Sequence, residues 1–160
     1  MSAIKKSGLK TLIPVVLLLI FFSCDPKKGE NSPSGNSDEI ISIDYSDIGG
    51  EAGNYTIVKI TKDSARLETG VTQKKIHKEW KSAITPKAWQ NLTSAIDATT
   101  LDKIRSSPSK QPVDGFDETF QIRTRKKYHA YVNAYADTVH YRQLEKLKAR
   151  IQNMIPQEYK

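Results

Sequence analysis

Between residues 40 and 80 the chain runs in short β-branched or alternating stretches, at 40–45, 55–61, 65–69 and 75–80. Asp47-Ile48-Gly49-Gly50, Lys62-Asp63 and Gly70 punctuate them. Such stretches predict strands, and the turn residues between them predict antiparallel neighbours. In the fourth, Ile76 and Trp80 share one side while Lys75, His77 and Glu79 share the other, as in a half-buried strand. The period changes at Thr85-Pro86, an N-cap residue followed by a proline suited to the first helical position, after which Trp89, Leu92 and Ile96 recur at helical spacing. Leu101 and Ile104 extend that packing before a loop at 106–117 rich in Ser, Pro, Gly and Asp.

Two further strands, 120–124 and 128–133, form a hairpin that turns near Arg125-Lys126. Within it Tyr128, Ala130 and Val132 form the expected core face, leaving His129, Tyr131 and Asn133 opposite. Residues 138–155 place Tyr141, Leu144, Leu147, Ile151 and Ile155 at steps of three and four, an amphipathic helix stopped by Pro156. The order ββββαββα predicts one α+β domain over residues 40–160, an antiparallel sheet of about six strands with two helices on one face.

The N-terminus follows a different logic. Lys5, Lys6 and Lys10 precede a mostly apolar run from Leu12 to Phe22, then Ser23 and Cys24, the sole cysteine. A run this short does not span a bilayer as a helix, and the order of basic, apolar and small segments is that of an export signal. Ile20-Phe21-Phe22-Ser23-Cys24 resembles the lipobox of bacterial lipoproteins, in the looser form of Bacteroidota. That resemblance covers residues 1 to about 30 and implies cleavage before Cys24 and diacylglyceryl attachment to its sulfur. Residues 1–23 are then the signal peptide, and 24–39 the lipidated cysteine and a tether. Residues 25–39 hold no large apolar side chain and, as flexible chain, reach roughly 20 Å root-mean-square. The body is similar to small uncharacterised lipoproteins of Bacteroidota, a likeness that transfers no site.

Loss of the signal lowers the formal net charge from +7 to about +4, because Lys5, Lys6 and Lys10 go with it. The remaining excess sits after Phe120, where Arg123, Arg125, Lys126, Lys127, Arg142, Lys146, Lys148, Arg150 and Lys160 face only Asp137, Glu145 and Glu158. A basic end suits anionic lipid, polysaccharide or an acidic partner, and an exported domain does not call for nucleic acid. Arg142, Lys146 and Arg150 form a stripe on the last helix, read as a solvated face. No cysteine follows Cys24, so the mature chain has neither disulfides nor thiolate metal ligands, and stability rests on a hydrophobic core.

Candidate chemistry is sparse. His77, His129 and His140 lack helical zinc spacing, and no nucleophile-elbow or zinc-protease motif accompanies them. Asp114, Asp117 and Glu118 flank Gly115 and Phe116 without the spacing of a calcium loop, and a tight turn accounts for their composition. We expect no cofactor, no metal and no catalytic residue. Binding is assigned to Arg125, Lys126, His129 and Tyr131 in the second hairpin, where Tyr and Arg are typical interface residues. Asp63-Ser64-Ala65 and Asp137-Thr138-Val139 resemble the O-glycosylation pattern of Bacteroidota; Ser64 is the acceptor expected, and Asp137 or Thr138 caps a helix.

The expectation is therefore a lipid-anchored protein of the bacterial cell envelope, on the outer membrane, with a non-catalytic module for a protein or glycan partner. The alternative is an envelope hydrolase or enzyme inhibitor, which needs Asp114, Asp117, His77 or His129 to converge in a pocket. Natively exported protein should carry diacylglyceryl and acyl mass at Cys24 that Cys24→Ala abolishes, and a glycan increment that Ser64→Ala removes. Intact-mass spectrometry reads both, and a mass equal to the bare polypeptide would overturn both.

Overall fold

The computed structural model describes residues 37–160; the signal segment, Cys24 and the tether as far as residue 36 lie outside the described residues. Eight main elements follow in the order β1 (Ile40–Gly49), β2 (Asn54–Thr61), β3 (Ser64–Val71), β4 (Ile76–Ala83), α1 (Pro86–Thr93), β5 (Phe116–Thr124), β6 (Tyr128–Val132) and α2 (Arg142–Met154). The strands make one antiparallel sheet ordered β4-β3-β2-β1-β5-β6. Thus β1 lies centrally, between its sequence neighbour β2 and the distant β5. The ββββαββα order and the mixed α+β class are as the periodicity predicts.

Register explains why the sheet has one dry face. Cross-strand pairing aligns Leu67, Val58, Tyr45, Phe120 and Tyr131 in one row, and Ala65, Ile60, Ile43, Ile122 and His129 in the next. All ten are buried. Side chains alternate faces along a strand, so both rows point the same way, and they pack with Leu92 of α1 and Leu144, Leu147 and Ile151 of α2. An irregularity in the β1–β5 register between Ile40 and Ser42 lets Ile40 join this face although its spacing from Ile43 is odd. The opposite face carries Lys59, Arg66, Glu68, His77, Glu79, Lys81, Gln121 and Arg123, as water contact demands.

The helices are fixed by local chemistry and by each other. Thr85 Oγ1 accepts the Ala88 N–H at 3.2 Å, capping α1 as expected, with Pro86 in its first turn. Arg150 of α2 donates to the Asn91 carbonyl near the end of α1 and to Ser94 Oγ at 2.8 Å, so one member of the basic stripe is bound to α1. At the other terminus α2 begins at Arg142, later than residue 138, because residues 138–141 form a turn. Asp137 Oδ1 accepts the Val139 and His140 N–H groups at 3.0 and 2.9 Å, and its Oδ2 accepts that of Arg105 at 3.1 Å. Those bonds hold its carboxyl down at about 2, against the opposing effect of burial.

Three sequence expectations are corrected. Asp47, Ile48 and Gly49 belong to β1, and Phe116 and Asp117 belong to β5, so both strands run into the loop residues expected to end them. The faces of β6 are reversed as well: His129, Tyr131 and Asn133 are buried, while Tyr128 is 55% exposed. Pairing decides this, since Phe120 opposite Tyr131 and Ile122 opposite His129 turn those side chains inward. Tyr131 then donates its hydroxyl to the Leu101 carbonyl at 2.7 Å, so a polar group is buried with its bond made.

Asn133 locks the far end of this arrangement. It is fully buried with φ +48°, and its amide accepts the Glu118 N–H at 3.0 Å while donating to the Pro108 carbonyl and Asp117 Oδ1 at 3.0 and 2.8 Å. Asp117 takes further bonds from Ser109 Oγ and the Lys110 N–H, which pin the loop before β5. Burial opposes its charge, but these donors together keep the carboxyl below its ordinary range. Asn133→Ala should cost about 3 kcal/mol, because it strands several buried groups. Asn133→Gly relieves the left-handed backbone yet loses the same bonds, so urea unfolding should show both variants destabilised and Ala more so. Wild-type stability in Asn133→Gly would assign the effect to backbone strain alone.

Candidate functional site: a polar groove at one end of the sheet

Beyond the row of Leu67, Val58, Tyr45 and Phe120, the next inner-face row is polar. Pairing sets Lys78 opposite Thr69, Thr69 opposite Thr56, Thr56 opposite Asp47 and Asp47 opposite Glu118, across five strands. Two adjoining cavities lie here. One, of about 430 Å³, is lined by Asp47, Lys110, Phe116, Glu118, Tyr135, Tyr141 and Lys148. Its neighbour, of about 290 Å³, shares Asp47 and Phe116 and continues over Thr56, Thr69, Ile76 and Lys78 to Tyr159.

Glu118 is the centre of the first cavity. It is buried, and its Oε1 accepts the Tyr141 hydroxyl at 2.6 Å while its Oε2 accepts from the Lys148 ammonium. Strand β5 aims the carboxylate inward, Tyr141 ends the turn that leads into α2 and Lys148 lies on α2, so the cluster joins sheet to helix. Lys148 also lies 5.7 Å from the centroid of the Tyr45 ring. At the rim Lys110 sits 5.0 Å from the Tyr135 centroid, and Tyr135 meets Tyr141 edge-on at 6.4 Å. Phe116 and Tyr135 are 46% and 40% exposed, so two aromatic faces flank a floor of carboxylates and ammonium groups.

Burial and neighbours set the charges. Burial pushes the Tyr45 phenol up to about 12, with Lys148 working against the shift and Asp47 and Glu118 adding to it. Tyr141 is raised by burial and then by its bond to Glu118. Burial acts to lower Lys148, but its bond to Glu118 and the charges around it hold the ammonium above its usual value. Desolvation raises the Asp47 carboxyl, partly offset by Lys148.

The residues singled out from sequence lie elsewhere. Arg125 and Lys126 occupy the β5–β6 turn at the opposite end of β5, where Arg125 Nε pairs with Glu39 at 2.6 Å and its N–H donates to the Glu39 carbonyl. Of their proposed companions, Tyr131 is in the core and His129 is buried with Nδ1 3.3 Å from Asp102, its pKa lowered by burial against that carboxylate. Asp114 lies in the loop at φ +55°, while Asp117 and Glu118 leave β5 on opposite faces, so these three carboxylates are not gathered. His77 stands on the outer face between Tyr55 and Glu79, at 2.7 and 3.0 Å, separate from His129 on β6. Ser64 is exposed at the start of β3, its hydroxyl 3.1 Å from Thr61 Oγ1.

The groove was hidden in the sequence because Asp47 and Glu118, its central carboxylates, lie just past the expected ends of β1 and β5. A signal was present: Ile43, Tyr45, Asp47 and Ile122, Phe120, Glu118 each continue the inward alternation by one polar step. Comparison with known proteins finds no family model that matches this chain and no match among curated proteins.

Linkage follows from the raised groups. A phenol or ammonium with elevated folded pKa contributes stability that is complete below its unfolded value and lost as pH rises through the folded one. For Tyr45 that window runs from about 10 to about 12. Urea unfolding from about pH 9 to about pH 11.5 should show the wild type losing more stability than Tyr45→Phe. Parallel curves would remove Tyr45 from the linkage.

Proposed function

We propose that the chain is a lipid-anchored envelope protein whose domain is a non-catalytic binding module, with a saccharide as the ligand of the sheet-end groove. Phe116 and Tyr135 carry this reading: two aromatic rings stand exposed at the rim of a cavity whose floor mixes acceptors and donors. Aromatic faces suit the C–H faces of sugar rings, and mixed polar groups suit hydroxyls. Around Glu118 the groove balances Asp47 and Glu118 against Lys110 and Lys148, while Lys78 further along is folded onto the Glu158 carbonyl, which favours a neutral polyhydroxyl ligand over a strongly charged one.

Placement supports the anchored role. The described chain enters β1 beside the β5–β6 turn, through the Arg125–Glu39 contact, while the groove lies at the other end of the sheet. A lipid on Cys24 therefore leaves the groove end of the domain open to an envelope glycan. The basic turn with Lys126 stands at the tethered end, where anionic headgroups or an envelope protein are its natural neighbours.

Hydrolysis of the same ligand is a second reading, and one observation favours it. Asp47 and Glu118 are direct cross-strand partners on the groove floor, with Asp47 raised by burial. Binding ranks first because both Glu118 oxygens are engaged by Tyr141 and Lys148.

Full-length chain in detergent, titrated calorimetrically with chito-, gluco- and manno-oligosaccharides, should bind at least one series. Phe116→Ala and Tyr135→Ala should each weaken that binding about tenfold, whereas Tyr128→Ala, on the other face, should not. Absence of binding across the panel, or unchanged affinity in the rim variants, would overturn the saccharide proposal. New reducing ends that Asp47→Asn abolishes would favour hydrolysis.

A further inference from the structure

Strand β4 ends the sheet, with seven of its eight residues exposed and Trp80 half-buried. The Ile84 N–H bonds the Asp63 carbonyl across the β3–β4 pair at 3.1 Å. Antiparallel ladders alternate, so the backbone groups of Ile76, Lys78, Trp80 and Ser82 face β3. Those of His77, Glu79, Lys81 and Ala83 point away from the sheet. An exposed edge of this kind is a template for another strand.

We infer that the edge of β4 pairs antiparallel with β4 of a second copy of this chain, about a twofold axis at Trp80. Two independent constraints select that register. Only residues with outward backbone groups can share hydrogen bonds, so an odd-numbered residue must stand opposite an odd-numbered one. Among registers that keep most of the strand paired, a shift of one residue in each copy sets Glu79 opposite Glu79, or Lys81 opposite Lys81; a further shift sets Lys78 opposite Lys78. With Trp80 on the axis, Glu79 of each copy instead faces Lys81 of the other.

The remaining contacts agree. On the inner face the two Trp80 rings adjoin, Lys78 stands opposite Ser82, and Ile76, 44% exposed in the single chain, stands opposite Ile84. Lys78 does not block the approach, since its ammonium folds onto the Glu158 carbonyl at 3.2 Å. On the outer face the Glu79–Lys81 pairs between copies extend a charge network already built within each chain from Arg66, Glu68, His77, Glu79 and Lys81. Symmetric pairing closes the edge of both copies at once, which a heterologous contact does not.

Sedimentation equilibrium of the full-length chain in density-matched detergent tests this. The wild type should dimerise, and Glu79→Lys or Lys81→Glu should each weaken the dimer about tenfold or more, because each turns two attractive pairs repulsive. The double reversal E79K/K81E restores both pairs and should recover wild-type association. In Trp80→Cys, mild oxidation should yield a disulfide-linked dimer beyond anything seen with the parent, whose sole cysteine is Cys24. A monomeric wild type, single reversals that associate normally, or a double reversal no better than either would overturn the proposal.

Discussion

One-sided burial is the constraint on which the rest depends. The sheet is antiparallel, successive side chains alternate, and the two inner rows from β3, β2, β1, β5 and β6 are apolar apart from His129. A face with that much apolar surface is stable only when covered, and α1 and α2 supply Leu92, Leu144, Leu147 and Ile151 as the cover. With no cysteine after Cys24, this layer packing replaces covalent staples.

The same constraint generates the groove. The alternation continues one residue past the apolar rows, into Lys78, Thr69, Thr56, Asp47 and Glu118. Polar groups facing inward need partners, and Glu118 finds them in Tyr141, just before α2, and Lys148 on α2. The cluster is thus structural on its helix side and open on the side of Phe116 and Tyr135. That division suits a binding function, because groups pinned from behind meet a ligand without losing side-chain freedom.

Two polar clamps hold the loops that frame this end. Asp117 and Asn133 tie the segment before β5 to the end of β6, while Asp137 ties Arg105 to the turn before α2. Asp117 owes its low pKa to donors from the backbone and neighbouring side chains, and Asp137 to backbone N–H groups, rather than to a cation alone. Asp117 is a catalytic candidate in sequence, and its bonding, like that of Asp137, shows a positional role.

Periodicity alone determined the elements, their order and the α+β class, because local alternation and helical spacing record which positions were selected for burial. It also located the N-cap at Thr85 and the stripe of α2, features that depend on residues within a few positions. The face of β6 and the site were decided only by tertiary structure. Tyr128, Ala130 and Val132 look as apolar as His129 and Tyr131, and only pairing with β5 turns the latter inward. The polar groove residues stand on five strands, a turn and a helix, far apart in the chain. Their common face exists only once long-range register aligns them, and no single stretch of sequence records that alignment.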